Sequence, residues 1–262
     1  MRTVELIFFP LILLSCQTVL LTGRRQLHLI PHAQLLSLSY QEYNQFSSTN
    51  KVISSGQQAD LVQKVGQNIQ GAVERYMRSQ NNSGSLKGYQ WEFRLFDNPA
   101  VNAWCMPGGK VGVYTGILPV TQDEAGLAVV LGHEIAHAIA NHGNERMSHG
   151  LLVQFGGIAL GEALSSKPDL TRQLAMAAFG VGSAVGVILP YSRLQETEAD
   201  RLGLIFMAMA GYDPNVAVGF WTRMAEHSKG APPAFLSTHP SDKTRIRGIK
   251  KHIPEAMNYA NK

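Results

Sequence analysis

The chain has 262 residues, a net charge of +4 and two cysteines. The length fits one domain of ordinary globular make-up. The charge is modest and scattered and no nucleic-acid motif is present, which sets nucleic-acid binding aside; two cysteines supply no disulfide framework.

Met1 and Arg2 give a weakly positive start, and an apolar run follows from Leu6 to Leu14. At about nine residues it is too short to span a bilayer and has the length of a signal-peptide core. Leu13-Leu14-Ser15-Cys16 resembles the bacterial lipobox, with Glu5 and Leu14 as departures. The expectation is a signal peptide over 1–15, lipidation of Cys16, and a tether with a lead-in helix over 16–50. Gln17 is not the aspartate of an inner-membrane retention signal, which points to an outer-membrane anchor facing the periplasm.

Gln57 to Gln80 reads as a helix with Leu61, Val65, Ile69, Val73 and Met77 in one core stripe. Asn81-Asn82-Ser83-Gly84 is a loop. Trp91–Phe96 alternates like a strand, Lys110–Tyr114 is another, and Gly108-Gly109 marks the turn before it. Asp123–Asn144 has apolar residues at helical spacing, with Gly143 as a stop signal. Leu151–Leu189, poor in charge and rich in Gly and Ala, predicts two helices split near Ser165–Pro168. They are read as a buried hairpin, with a mobile lid or a membrane-touching flap as the sharper alternative. A helix over about Gln195–Ala210 follows, and Asp213-Pro214 starts the next. Arg245, Arg247, Lys250 and Lys251 read as the solvated face of a short helix, and His142 as surface.

The chemistry concentrates in His133-Glu134-Ile135-Ala136-His137. Histidines four apart on a helix face one way and can grip one metal ion. The glutamate beside the first can act as general base on a metal-activated water. Placed in an apolar helix, these three side chains are desolvated, which is costly unless they bind something. Zinc needs a third protein ligand and an open position. Glu196 is the candidate, and Asp200, four residues on, is the candidate acceptor for the other N–H of His133. Glu198 points elsewhere and is read as a solvated or structural acid.

These motifs, with Asn102–Gly109, Tyr114-Thr115-Gly116, Ser192–Asp200 and Ser237-Thr238-His239-Pro240 in the same order, resemble the M48 family of zinc metallopeptidases. The resemblance covers about Val52 to Ile253. It implies a mainly helical α+β zincin (gluzincin) domain with a small sheet over 51–262, one Zn2+ per chain, and endopeptidase activity on proteins. It also implies that Asn102 and Ala103 lie on an edge strand that holds extended substrate by β-augmentation. His239 matches a family position near the zinc, as an oxyanion stabiliser or a fourth ligand of the resting site. Tyr191 and Arg193 are weaker oxyanion candidates. Cys105, a possible thiolate ligand, is read instead as a small buried hydrophobe.

The expected function is therefore zinc-dependent hydrolysis of peptide bonds by His133, Glu134, His137 and Glu196. The expected substrates are unfolded or misassembled envelope proteins, and the membrane is reached through a lipid anchor. The rival readings are a self-inhibited or non-catalytic zinc-binding lipoprotein with chaperone-like binding, and a zinc hydrolase of non-peptide amides.

Overall fold

The structure is a computed structural model that describes residues 16–19, 22–184, 189–226, 234–239 and 243–260. The expected signal peptide, residues 1–15, lies outside the described residues, as does the Cys16 side chain. Two compact units are present: the described parts of 1–32 with 141–195, and of 33–140 with 196–262.

The larger unit holds a four-stranded mixed sheet of order β3-β4-β6-β5. Its strands are β3 (Val52–Ile53), β4 (Glu92–Phe96), β5 (Ala103–Met106) and β6 (Lys110–Tyr114). β4 and β6 run parallel, while β5 returns antiparallel on β6 with Ala103 opposite Val113 and Met106 opposite Lys110. The β5–β6 turn is possible because Gly108 and Gly109 both take positive φ, 89° and 84°, where a side chain is strained. Any Cβ there would also strike Tyr40 or Trp91. β5 is left at one edge of the sheet, a position that keeps one side of its backbone free to pair.

Helix α1 (His32–Thr49) closes one face of the sheet with Tyr43 and Phe46, which pack edge-on against Trp104. Helix α2 (Gln57–Ser79) buries Val62, Val65, Ile69, Val73, Tyr76 and Met77, a stripe at helical period. After the short α3 (Leu118–Thr121), Asp123 caps α4 (Glu124–Ile139) by accepting from the Gly126 amide at 2.7 Å. α4 is buried from Gly126 to Ile139, packs on α2 and β5, and carries the HExxH residues.

The predicted helix over Asp123–Asn144 is in fact two. Asn141 takes the left-handed conformation at φ 57°, and α5 (His142–Ala163) starts there. The stop is Asn141, whose short polar side chain tolerates that region, and not Gly143. α5, α6 (Asp169–Ser183) and the hairpin of β1 (Cys16–Thr18) with β2 (Arg25–Leu27) make up the smaller unit. His142, expected at the surface, is wholly buried beside Glu145. The α5–α6 pair is a hairpin as expected, but it is not buried: α6 has no buried residue.

α7 (Leu189–Met209) starts six residues earlier than expected and carries Glu196 and Asp200 in the larger unit. α8 (Val216–Glu226) follows an Asp213 turn in which the aspartate accepts from the Asn215 amide at 2.9 Å. α9 (Ala234–Thr238) and α10 (Lys243–Met257) complete the unit. α4 and α7 touch backbone to backbone at Gly132 and Gly203. A Cβ at Gly203 would lie 2.9 Å from the Gly132 carbonyl carbon and the His133 nitrogen. Two glycines at the crossing let the two donor-bearing helices approach more closely than side chains allow.

Candidate metal centre

Ligand atoms of His133, His137, Glu196 and His239 all lie within 4.8 Å of one another, and all four residues are buried. His133 Nε2 is 3.1 Å from both His137 Nε2 and His239 Nδ1. The Glu196 oxygens lie 3.2 Å from His137 Nε2, 3.4 Å from His133 Nε2 and 3.0 Å from His239 Nδ1. Helix α4 supplies two donors one turn apart and α7 supplies the carboxylate. His239 enters from just past α9, where its amide donates to the Phe235 carbonyl at 2.9 Å.

Asp200 Oδ1 is 3.0 Å from His133 Nδ1. That contact assigns the Nδ1 proton to the Asp200 side and turns the Nε2 lone pair towards the cluster. Asp200 is in turn gripped by Arg245, whose Nε and Nη2 donate to its two oxygens at 2.9 and 2.7 Å. The same guanidinium reaches Glu196 Oε2 at 3.1 Å and the His239 carbonyl at 3.2 Å. Its plane lies 3.5 Å from the centroid of the Trp221 ring, and Trp221 itself packs edge-on to His133.

Arg245 is thus no solvated surface charge. Its side chain is 6% exposed and ties three of the site's residues together. Sequence reasoning missed it because Arg245 stands among Arg247, Lys250 and Lys251 in one basic segment, and nothing local sets it apart. Trp221 left no such signal. Glu198, read as a solvated or structural acid, is buried and outside the cluster.

Burial pushes the Glu196 carboxyl up, but hydrogen bonds from His133, His137 and His239 outweigh it and hold the group far below the usual carboxylate range. Burial and the Arg245 charge work against a protonated His133, yet its bonds to Asp200 and Glu196 prevail and push its pKa up to about 9. Burial also opposes an ionised Asp200, and Arg245 with His133 overcomes it. Without a cation, this arrangement needs a proton trapped among facing imidazole nitrogens. Three nitrogens and a carboxylate oxygen are instead the donor set of a tetrahedral zinc ion, so the residues fit that metal.

Glu134, one residue from His133, is 4% exposed. Its Oε1 has no hydrogen-bond partner among the described residues and lies 3.4 Å from His239 Nε2. A buried carboxylate oxygen left without a donor is costly and marks a group awaiting one. Asn102 precedes β5, where its side chain accepts from the Ala103 amide at 3.0 Å and its carbonyl from the Tyr114 amide. Ala103 is buried. Cys105, expected to be buried, is only half-buried; it donates weakly to the Met106 carbonyl and lies outside the metal-ligand cluster, and desolvation with the neighbouring Glu134 charge pushes its thiol well above the ordinary range. Arg193 is exposed and belongs to the smaller unit. The Tyr191 side chain lies outside the described residues.

Residues 64–253 match Peptidase family M48. The chain belongs to the M48 peptidase family. Within this M48 chain, 174 residues are 42% identical to the mitochondrial metalloendopeptidase OMA1 of Schizosaccharomyces pombe, covering 66% of this chain and 49% of that protein. The human metalloendopeptidase OMA1 is 29% identical over 90% of this chain and 46% of its own length. A beta-barrel assembly-enhancing protease of Yersinia pestis is 28% identical over 65% of this chain and 35% of its own length. The chain thus spans about half, or less, of the length of these curated relatives. M48 membership and the four-residue cluster agree on zinc as the cofactor.

Proposed function

We propose that this M48 protein is a zinc-dependent metalloendopeptidase. The observation that carries the reading is the convergence of His133, His137, Glu196 and His239 on one point, with the buried Glu134 carboxylate beside it, one oxygen of which has no hydrogen-bond partner among the described residues. Zinc, when bound by these residues, supplies a Lewis acid that polarises the scissile carbonyl and makes a water more acidic. Glu134 accepts the proton of the attacking water and returns it to the leaving amine. Asp200 fixes the ring of His133, and Arg245 keeps Asp200 ionised and holds both Asp200 and Glu196 in place. The free edge of β5, beside Asn102 and Ala103, aligns an extended peptide by main-chain hydrogen bonds regardless of its sequence. His239 either completes the ligand set of a resting site or swings out to steady the oxyanion; its two ring nitrogens face Glu196 and Glu134 respectively.

The proposed setting is the cell envelope, with unfolded or misassembled envelope proteins as substrates. Similarity to a beta-barrel assembly-enhancing protease supports this setting, and similarity to mitochondrial metalloendopeptidases supports the peptidase chemistry. Lipidation at Cys16 and outer-membrane anchoring facing the periplasm are part of the same proposal and rest on Leu13-Leu14-Ser15-Cys16.

The test measures bound zinc and cleavage of unfolded casein by the parent and by Glu134→Gln, with and without a chelator. Zinc in both, with chelator-sensitive cleavage in the parent alone, is the expected result. Zinc in both and cleavage in neither overturns the peptidase reading. Labelling with radioactive palmitate, lost in Cys16→Ser, tests the anchor.

A further inference from the structure

Gln195 immediately precedes the carboxylate donor Glu196, and the boundary between the two compact units falls between them. Earlier on α7, Ser192 is half-buried and Arg193 and Leu194 are exposed, whereas Gln195 is wholly buried. Among the described side chains of α7, Gln195 is thus the first that packing can hold, one residue before the metal donor. Its amide is bonded at both ends. Nε2 donates to Glu145 Oε2 at 2.7 Å, and Oε1 accepts from Arg146 Nη1 at 3.0 Å. The Glu145 side chain has no exposed surface. Arg24, directly before β2, donates to its two oxygens from both terminal nitrogens, at 2.5 and 2.8 Å. A planar fork on a buried carboxylate fixes the orientation of the carboxylate as well as its charge. That orientation presents Oε2 to Gln195.

We propose that Gln195 is a positioning residue of the metal centre, and that Arg24 and Glu145 act through it to fix the rotation of α7 at Glu196. Neighbouring side chains on a helix stand about 100° apart on one rigid backbone, so any rotation that frees Gln195 turns Glu196 by the same angle. A rotation of about 10° moves an atom about 6 Å from the helix axis by about 1 Å. A zinc–donor distance tolerates about 0.2 Å. Arg245 holds the helix at Glu196 and Asp200, and Gln195 holds it on the N-terminal side of the donor. A buried amide has reason to stay: leaving its partners strands Gln195 and one oxygen of Glu145 away from water. The order of the N-terminal β1–β2 segment thereby bears on a zinc ligand that it does not itself supply. The proposal rests on the zinc-site reading above.

The test measures zinc affinity of the full chain by competition with a chromophoric chelator, beside melting temperature and casein cleavage. Gln195→Met keeps the length of the side chain and loses both bonds; affinity is expected to fall about tenfold, with kcat reduced and KM near the parent's. Arg24→Ala acts one step further away and is expected to cost about fivefold. In the double variant the loss should not exceed that of Gln195→Met, because both changes break one chain of contacts. Ser148→Ala is the control: it loosens the same unit through Leu29 and Asn144, not through Gln195. It should lower the melting temperature and leave zinc affinity within about twofold of the parent. The proposal is overturned if Gln195→Met binds zinc within about twofold of the parent, or if Ser148→Ala loses as much. Losses that multiply in the double variant overturn it as well. If Gln195→Met does not fold, Arg24→Ala decides by the same twofold limit. Affinity is read without turnover, so a parent that binds zinc and cleaves no casein sinks the peptidase reading and leaves this test standing. A parent that binds no zinc overturns both.

Discussion

Replacing Gly203 by alanine is expected to damage the metal centre although the atoms nearest the new methyl group are backbone and not the ligating side chains. A Cβ at Gly203 lies 2.9 Å from the Gly132 carbonyl carbon and the His133 nitrogen, against ordinary contact at 3.4 Å or more. The partner atoms are backbone and cannot rotate away, so α7 must shift from α4 by about 0.5 Å. Overpacking of this kind costs about 1–3 kcal/mol. Removing a helical glycine returns about 0.5–1 kcal/mol, so the clash wins. The displaced helix carries Glu196 two turns away, and the displaced amide is that of His133, so the ligand set itself spreads. Zinc affinity is expected to fall about tenfold, the lower end of the range seen when the support of a ligand is disturbed. Competition with a chromophoric chelator reads the affinity, and thermal unfolding of the zinc-loaded protein reads the stability. Gly248→Ala is the control, because nothing lies within 4 Å of a Cβ there. A Gly203→Ala protein that is as stable as the parent and binds zinc equally well would refute the reasoning.

Arg245→Lys keeps the charge but loses the fork that holds Asp200 and Glu196; zinc affinity is expected to drop about 10–100-fold, measured by the same competition. Stripping the metal should abolish casein cleavage and lower the melting temperature, because zinc binds the folded site alone, and added zinc should restore both; a chelator that leaves cleavage intact would contradict the metal centre. Glu134→Gln is expected to retain zinc and to lose about 10²–10⁴ in rate, the range assigned to a general base. The smaller unit should be acid-sensitive through Glu145: burial raises its pKa, but Arg24 and Gln195 pull it below the ordinary value. A lowered folded-state pKa means that the contribution is complete above the unfolded value near about 4.3 and is lost as pH falls through the folded one. The protection factor of the Leu29 amide, which donates to Ser148, should therefore fall once the pH drops below the ordinary carboxyl range, and in Arg24→Ala it should be low already at neutral pH.

The donor residues were legible in the sequence because their geometry is local. Residues four apart on a helix share a face whatever surrounds them, so His133 with His137 and Glu196 with Asp200 could be paired before any fold was known. The amphipathic stripe of α2 and the alternation at the start of β4 were legible for the same reason: period reports which side is buried. Other features depend on partners far along the chain. Asn141 ends α4 through one left-handed residue, which no periodicity announces, since Ala138 and Ile139 before it and Met147 after it are all apolar. His142 is buried because Glu145 and its neighbours enclose it, and a histidine near a helix end gives no sign of that.

The same division explains Arg245 and the α5–α6 hairpin. A basic stretch looks like surface until one guanidinium is seen over Trp221 with Asp200 and Glu196 on its donors; charge alone does not tell a solvated arginine from a buried one. A run poor in charge looks like core, yet α6 keeps Leu170, Leu174 and Val181 outside, because apolar composition states that a face must be covered and not by what. The amino-acid sequence by itself thus determined the chemistry: which side chains can bind zinc, which can take a proton, and on which helices they sit. Only the tertiary structure decided how they meet. Two glycines bring α4 and α7 into backbone contact, and an arginine and a histidine from the last third of the chain close the site, contacts that arise from packing between segments distant in the chain.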